Sequence, residues 1–151
     1  DGNKIYGPRG VGVLFVRRGT EIKIPRGATP NVPAIAGFAL ALKKINVEKN
    51  VAHFEKLNKF FDFKHINGTP RSPHILNIGF PGKDAEFLLF QLDAAGIAVS
   101  TKSSCMRDED ESYVLKAIGA DSKSSMRLSF GTMTTEGEVK RVLKILKDLV
   151  K

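Results

Sequence analysis

Two residues stand out for the chemistry that their types and surroundings allow. Cys105 is the single cysteine of the chain and lies in Ser-Thr-Lys-Ser-Ser-Cys-Met-Arg-Asp-Glu-Asp-Glu, residues 100 to 111. A free thiol is normally among the most buried side chains, whereas this one is embedded in small polar residues that suit a loop. Lys102 and Arg107 bring positive charge that favours the nucleophilic thiolate, while the acidic run Asp108 to Glu111 opposes it. The competing reading is a small hydrophobe turned inward. Lys4 is the second candidate, placed in Asp1-Gly2-Asn3-Lys4-Ile5-Tyr6-Gly7-Pro8-Arg9-Gly10, just before a glycine-rich turn. A lysine in such a setting can lose its proton and form an imine with an aldehyde cofactor, although a solvated surface lysine has the same local sequence.

Positioning these groups falls to a chain of 151 residues, 42% hydrophobic, which is the size of one ordinary domain. One cysteine excludes an internal disulfide framework and any cysteine-rich metal site, so no metal is expected, and it points to a reducing compartment, the cytoplasm. No apolar stretch approaches the roughly 20 residues of a spanning helix, and the first residues lack a signal-peptide pattern, so a soluble protein without membrane partners is expected. The net charge of +8 is scattered along the polar faces of helices with no basic, aromatic-interleaved block. It therefore reads as solvated surface, with no nucleic-acid partner, though a basic face could meet an acidic protein.

The elements follow from periodicity and punctuation. Val11–Arg17 alternates as a strand ending at Arg18-Gly19, and residues 17–32 read as an exposed loop. Pro33 opens a helix over Ala34–Ile45, and Val47–Phe61 carries apolar residues at helical spacing. Asn67-Gly68 marks a turn, His74–Phe80 a strand closed by Pro81-Gly82, and Ala85–Ala95 a helix stopped by Gly96. Ile97–Val99 reads as a short strand leading to the Cys105 loop, Glu111–Ile118 as a helix, Ser125–Phe130 as a strand and Thr135–Lys151 as a terminal helix with N-cap hydroxyls. The expected fold class is α/β, a small sheet covered by helices.

Six separated motifs carry a resemblance that spans the chain. Lys4-Ile5-Tyr6-Gly7-Pro8-Arg9-Gly10-Val11-Gly12 resembles the segment around the cofactor-binding lysine of the cysteine desulfurases, pyridoxal phosphate enzymes of the class V aminotransferase group. Asn31-Val32-Pro33-Ala34-Ile35-Ala36-Gly37-Phe38, Asn77-Ile78-Gly79-Phe80-Pro81-Gly82, and Ala95-Gly96-Ile97-Ala98-Val99-Ser100 followed by Ser103-Ser104-Cys105 match further family segments in order. Ser112-Tyr113-Val114-Leu115-Lys116-Ala117-Ile118-Gly119 and Met126-Arg127-Leu128-Ser129-Phe130-Gly131, with Thr134-Thr135-Glu136, complete the series.

The resemblance implies roles residue by residue. Lys4 matches the lysine that forms the Schiff base with pyridoxal 5'-phosphate and shuttles the substrate α-proton. Cys105 matches the nucleophile that takes sulfur from L-cysteine as a persulfide, leaving alanine, for iron–sulfur cluster or thio-cofactor synthesis. Arg127 matches the arginine that binds the substrate carboxylate, a task suited to a planar bidentate guanidinium. Thr29 matches a threonine that reaches the cofactor phosphate of the neighbouring subunit, which implies a homodimer. Asn77 occupies a typical family position without an assigned chemistry. The implied partners are L-cysteine and a sulfur-acceptor or scaffold protein.

Departures accompany the matches. Asn3 stands where the family usually has histidine, Thr132 where many relatives have arginine, and the segments at residues 19–25 and 61–63 are short. The family's lysine lies about halfway along a chain more than twice this long. The sequence thus resembles a C-terminal portion, with residues 1–32 a remnant of the large cofactor-binding domain and residues 33–151 the small domain carrying the cysteine loop. Alone, it is expected to be inactive or nearly so. The alternatives are a selenocysteine lyase or another class V enzyme, and a non-catalytic docking fragment for a sulfur acceptor.

Overall fold

A computed structural model of the chain describes residues 1–23, 27, 29–69, 71–102 and 111–151. They form two compact units, Asp1–Val47 and Glu48–Lys151.

In the first unit a single 3₁₀ turn, Gly2–Ile5, precedes helix α1, Val32–Lys44. Asn31 caps α1 by accepting a hydrogen bond from the Ala34 amide at 3.2 Å, and Pro33 sits in the first turn, where no amide partner is lost. Ala34 and Phe38 are its buried apolar side chains. The strand expected over Val11–Arg17 does not form, and Phe15 there is 89% exposed. Alternation supplies an apolar face, but a strand also needs a ladder of backbone bonds to a neighbour, and this segment joins no such ladder among the described residues.

In the second unit, helix α2 (Val47–Asn58) leads to strands β1 (Ile66–Asn67) and β2 (Ile75–Gly79), then helices α3 (Ala85–Ala94) and α4 (Tyr113–Ala117), strand β3 (Ser125–Ser129) and helix α5 (Glu136–Leu149). The sheet runs β1-β2-β3 and is antiparallel throughout, with Asn67 opposite Asn77 and Asn77 opposite Arg127. Leu76, Ile78, Met126 and Leu128 alternate toward the core, where they meet Leu57 of α2, Leu88 and Leu92 of α3, and Val139, Leu143 and Leu146 of α5. Burial of these side chains, worth about 1.5–3 kcal/mol each, drives the unit together. The other sheet face carries the residues between them. The expected α/β arrangement of a small sheet covered by helices is therefore observed.

Two local expectations are corrected. Ile97–Val99 is not a strand; only Ser100 reaches the sheet, as an isolated bridge to Arg127. Asn67, read with Gly68 as a turn, instead pairs with β2 as part of Ile66–Asn67, and the turn comes at Gly68 with φ 79°. The helix ends agree closely with their caps. Gly96 stops the turn after α3 with φ 73°, Asp84 caps its start, and Thr135 and Glu138 form a reciprocal capping box on α5.

Candidate active site

Arg127 lies at the middle of β3, on the sheet face opposite the core. Its amide donates to Ser100 O at 2.6 Å and its carbonyl accepts from Ser100 N at 3.1 Å. Both backbone groups thus point away from β2, which makes Asn77 and Arg127 a non-hydrogen-bonded cross-strand pair. In such pairs the Cα atoms approach to about 4.5 Å and the side chains stand close on one face. Within this row Asn67 Nδ2 donates to Asn77 Oδ1 at 2.7 Å and to Ser125 Oγ at 3.0 Å. Arg127 itself is half-buried, and its Nε is buried with no hydrogen-bond partner among the described residues. No ion pair among the described residues involves it. A buried guanidinium Nε with no partner among the described residues retains its donor capacity for an external carboxylate.

The segment containing Cys105 lies outside the described residues; its two roots do not. On one side Ser100 is held to the Arg127 backbone, and Lys102 Nζ lies 3.1 Å from Glu86 Oε1 on α3. On the other, Ser112 caps α4 and its amide donates to Ser122 Oγ at 2.8 Å. Between the roots and the start of α3 is a space of about 350 Å³ bordered by Asp84, Glu86, Lys102, Ser122 and Lys123.

Lys4 belongs to the first unit and is exposed, near the end of the 3₁₀ turn. The turn is tightly built. Asp1 Oδ1 accepts from the Asn3 amide at 3.1 Å, the Gly2 amide donates to Val11 O at 2.7 Å, and the Gly7 amide to Gly2 O at 2.9 Å. A Cβ on Gly37 of α1 would lie 2.8 Å from Pro8 Cγ, so the residue-1-to-11 loop packs directly on the helix. Lys4 takes part in no ion pair among the described residues. Thr29 is exposed, shortly before the Asn31 cap of α1. An exposed amine on a constrained backbone and an exposed hydroxyl are thus both within reach of a ligand. Among the described residues no cluster of His, Cys, Asp and Glu is arranged to hold a metal ion, and no helix is long and apolar enough to cross a membrane.

Lys4 and Thr29 thus fall in one unit and Arg127 in the other. The Ser100 bridge and the amide row beside Arg127 are the parts that sequence reasoning missed. Alternation in β2 and β3 places Asn77 and Arg127 on the outward face, but the pairing of Ser100 depends on tertiary structure.

Comparison with known proteins extends these observations. Residues 23–142 match the class-V aminotransferase family. A protein of Bacillus subtilis described as a putative cysteine desulfurase is 35% identical, over 99% of this chain and 47% of its own length. The mitochondrial cysteine desulfurase of Saccharomyces cerevisiae is 34% identical, over 99% of this chain and 35% of its own. A solved structure titled a NifS-like protein superposes with a TM-score of 0.79 at 28% identity, covering 99% of this chain and 44% of that one. The chain spans a little under half the length of the Bacillus relative and of that structural neighbour. The family match covers most of the sequence, and the chain belongs to the class-V aminotransferase family.

Proposed function

We propose that this chain carries the sulfur-transfer part of a pyridoxal phosphate-dependent cysteine desulfurase. The observation that carries this reading is Arg127, whose buried Nε lacks a partner among the described residues and whose backbone is bonded to Ser100, five positions before Cys105. Five residues of chain reach about 18 Å at most, which bounds how far Cys105 can stand from Ser100.

In this reading Lys4 Nζ and, from the adjacent protomer of a homodimer, the Thr29 hydroxyl hold the cofactor. Pyridoxal phosphate supplies an electron sink for bonds at the substrate's α and β carbons. Arg127 receives the carboxylate of L-cysteine in a bidentate grip. Lys4 takes the Cα proton and later returns a proton to the product. The Cys105 thiolate attacks the substrate sulfur; the new S–S bond forms as the Cβ–S bond breaks, with the electron pair leaving on carbon. Protonation at that carbon gives alanine, and the sulfur remains on Cys105 as a persulfide. Exchange with a thiol of an acceptor or scaffold protein then passes it on. The cytoplasm, with its reduced thiols, is the proposed compartment.

The test is spectroscopic, on the polypeptide at its native length. Added pyridoxal phosphate should give a new near-visible absorbance band that Lys4→Ala abolishes. A band unchanged in Lys4→Ala would contradict the assignment. Sulfide release from L-cysteine that survives Cys105→Ser would replace the persulfide reading with a lyase.

A further inference from the structure

The row of side chains across the sheet contains a residue pair to which the reaction gives no task. Asn67, Asn77, Arg127 and Ser100 occupy one register line over β1, β2, β3 and the bridge. We propose that Asn67 and Asn77 are positioning residues that keep the Arg127 guanidinium available for the substrate carboxylate, an inference that rests on the function proposed above.

The argument is one of competition for an acceptor. Asn77 faces Arg127 in a close cross-strand pair, so its side-chain carbonyl is an obvious acceptor for a guanidinium N–H. That carbonyl is already engaged: Asn67 Nδ2 donates to it at 2.7 Å. The same Asn67 nitrogen donates to Ser125 Oγ at 3.0 Å, and Ser125, two residues before Arg127 on the same face, is only 1% exposed. Asn67 is thereby fastened to β3 and to β2 at once, and it holds the Asn77 carbonyl toward β1. Arg127 Nε is buried with no hydrogen-bond partner among the described residues, consistent with an Asn77 carbonyl turned toward β1. A buried donor left in that state costs free energy until a partner arrives, which favours binding of an anionic group able to satisfy it.

Substitutions separate this role from simple support of the sheet. Asn77→Asp places a carboxylate beside Arg127, where it would capture the guanidinium internally. The native-length, cofactor-loaded enzyme should then show a KM for L-cysteine raised about 10-fold or more, the equivalent of one charge-assisted hydrogen bond, with kcat within about twofold. Asn67→Ala frees the Asn77 carbonyl and should raise KM about 3- to 10-fold. Asn67→Asp keeps an acceptor where a donor is needed and should behave like the alanine variant, whereas Asn67→Gln, which retains the amide donor, should recover part of the affinity. Dissociation constants of cysteamine, which lacks the carboxylate, should be unchanged in every variant. Equal losses for cysteine and cysteamine, or an unchanged KM in Asn77→Asp, would overturn the proposal. Arg127→Lys measured alongside distinguishes the levels: if it leaves the cysteine KM intact, the substrate-binding reading itself fails. If it raises KM while the asparagine variants do not, only the positioning role fails.

Discussion

Arg127 concentrates the argument at the scale of single residues. Its Nε is buried without a hydrogen-bond partner among the described residues, and a polar donor in that condition costs free energy unless a ligand completes it. Lysine cannot reproduce the planar fork, so Arg127→Lys should lower kcat/KM for L-cysteine about 10- to 100-fold, mostly through KM, as steady-state kinetics would show. A loss confined to kcat would place Arg127 elsewhere in the reaction. Lys4 and Cys105 were legible in the sequence as an amine beside a tight turn and a thiol among small polar residues, but their roles came from the resemblance. The structure adds for Lys4 a constrained, exposed setting. For Cys105, outside the described residues, it adds the anchoring of Ser100 and Ser112 on either side. Asn67 was invisible as a functional candidate because its importance lies in a hydrogen bond across strands.

At the scale of elements, local signals succeeded where they were long or capped. Helix α5 was marked by its N-cap hydroxyls, and Thr135 appears in the structure in a capping box at the head of a helix whose core face is Val139, Leu143 and Leu146. Strand β1 escaped notice because two residues are too few to show alternation, and Val11–Arg17 was misread because alternation says nothing of a pairing partner. The α5 cap yields a stability prediction. Thr135→Ala should cost about 1 kcal/mol in denaturant unfolding. Glu138 makes the complementary bond: the Thr135 amide, and then its hydroxyl, hold the carboxyl below its ordinary range. A carboxyl depressed in the folded state stabilises above its unfolded-state pKa, and that contribution disappears as pH falls through the lower folded value. The melting temperature should therefore decline on acidification below the ordinary glutamate range, and Glu138→Gln should flatten that part of the profile. An identical acid profile in Glu138→Gln would remove the cap from the account.

For the whole molecule, the division into two units sets what should fold alone. Glu48–Lys151 holds a continuous core with Leu57, Leu76, Ile78, Leu92, Met126 and Leu146 almost wholly buried. As an isolated piece it should unfold in one cooperative transition, and Leu57→Ala should destabilise it by about 2–5 kcal/mol through the cavity left behind. Asp1–Val47 buries only Ala34 and Phe38 among its described large or small apolar side chains, and should not fold by itself. Circular dichroism of the two pieces decides both points. The sheet-and-helix class was legible because core strands and amphipathic helices obey short-range periods; the division into units depends on which faces find partners, which no local period encodes. The proposed chemistry draws on residues of both units, and one measurement tests it most directly. After the native-length, cofactor-loaded polypeptide meets L-cysteine without an acceptor thiol, peptide mass spectrometry should find one added sulfur atom on the peptide containing Cys105, with alanine formed in equal amount. Alanine formed at an undiminished rate by Cys105→Ser, with no sulfur retained on the protein, would contradict the account.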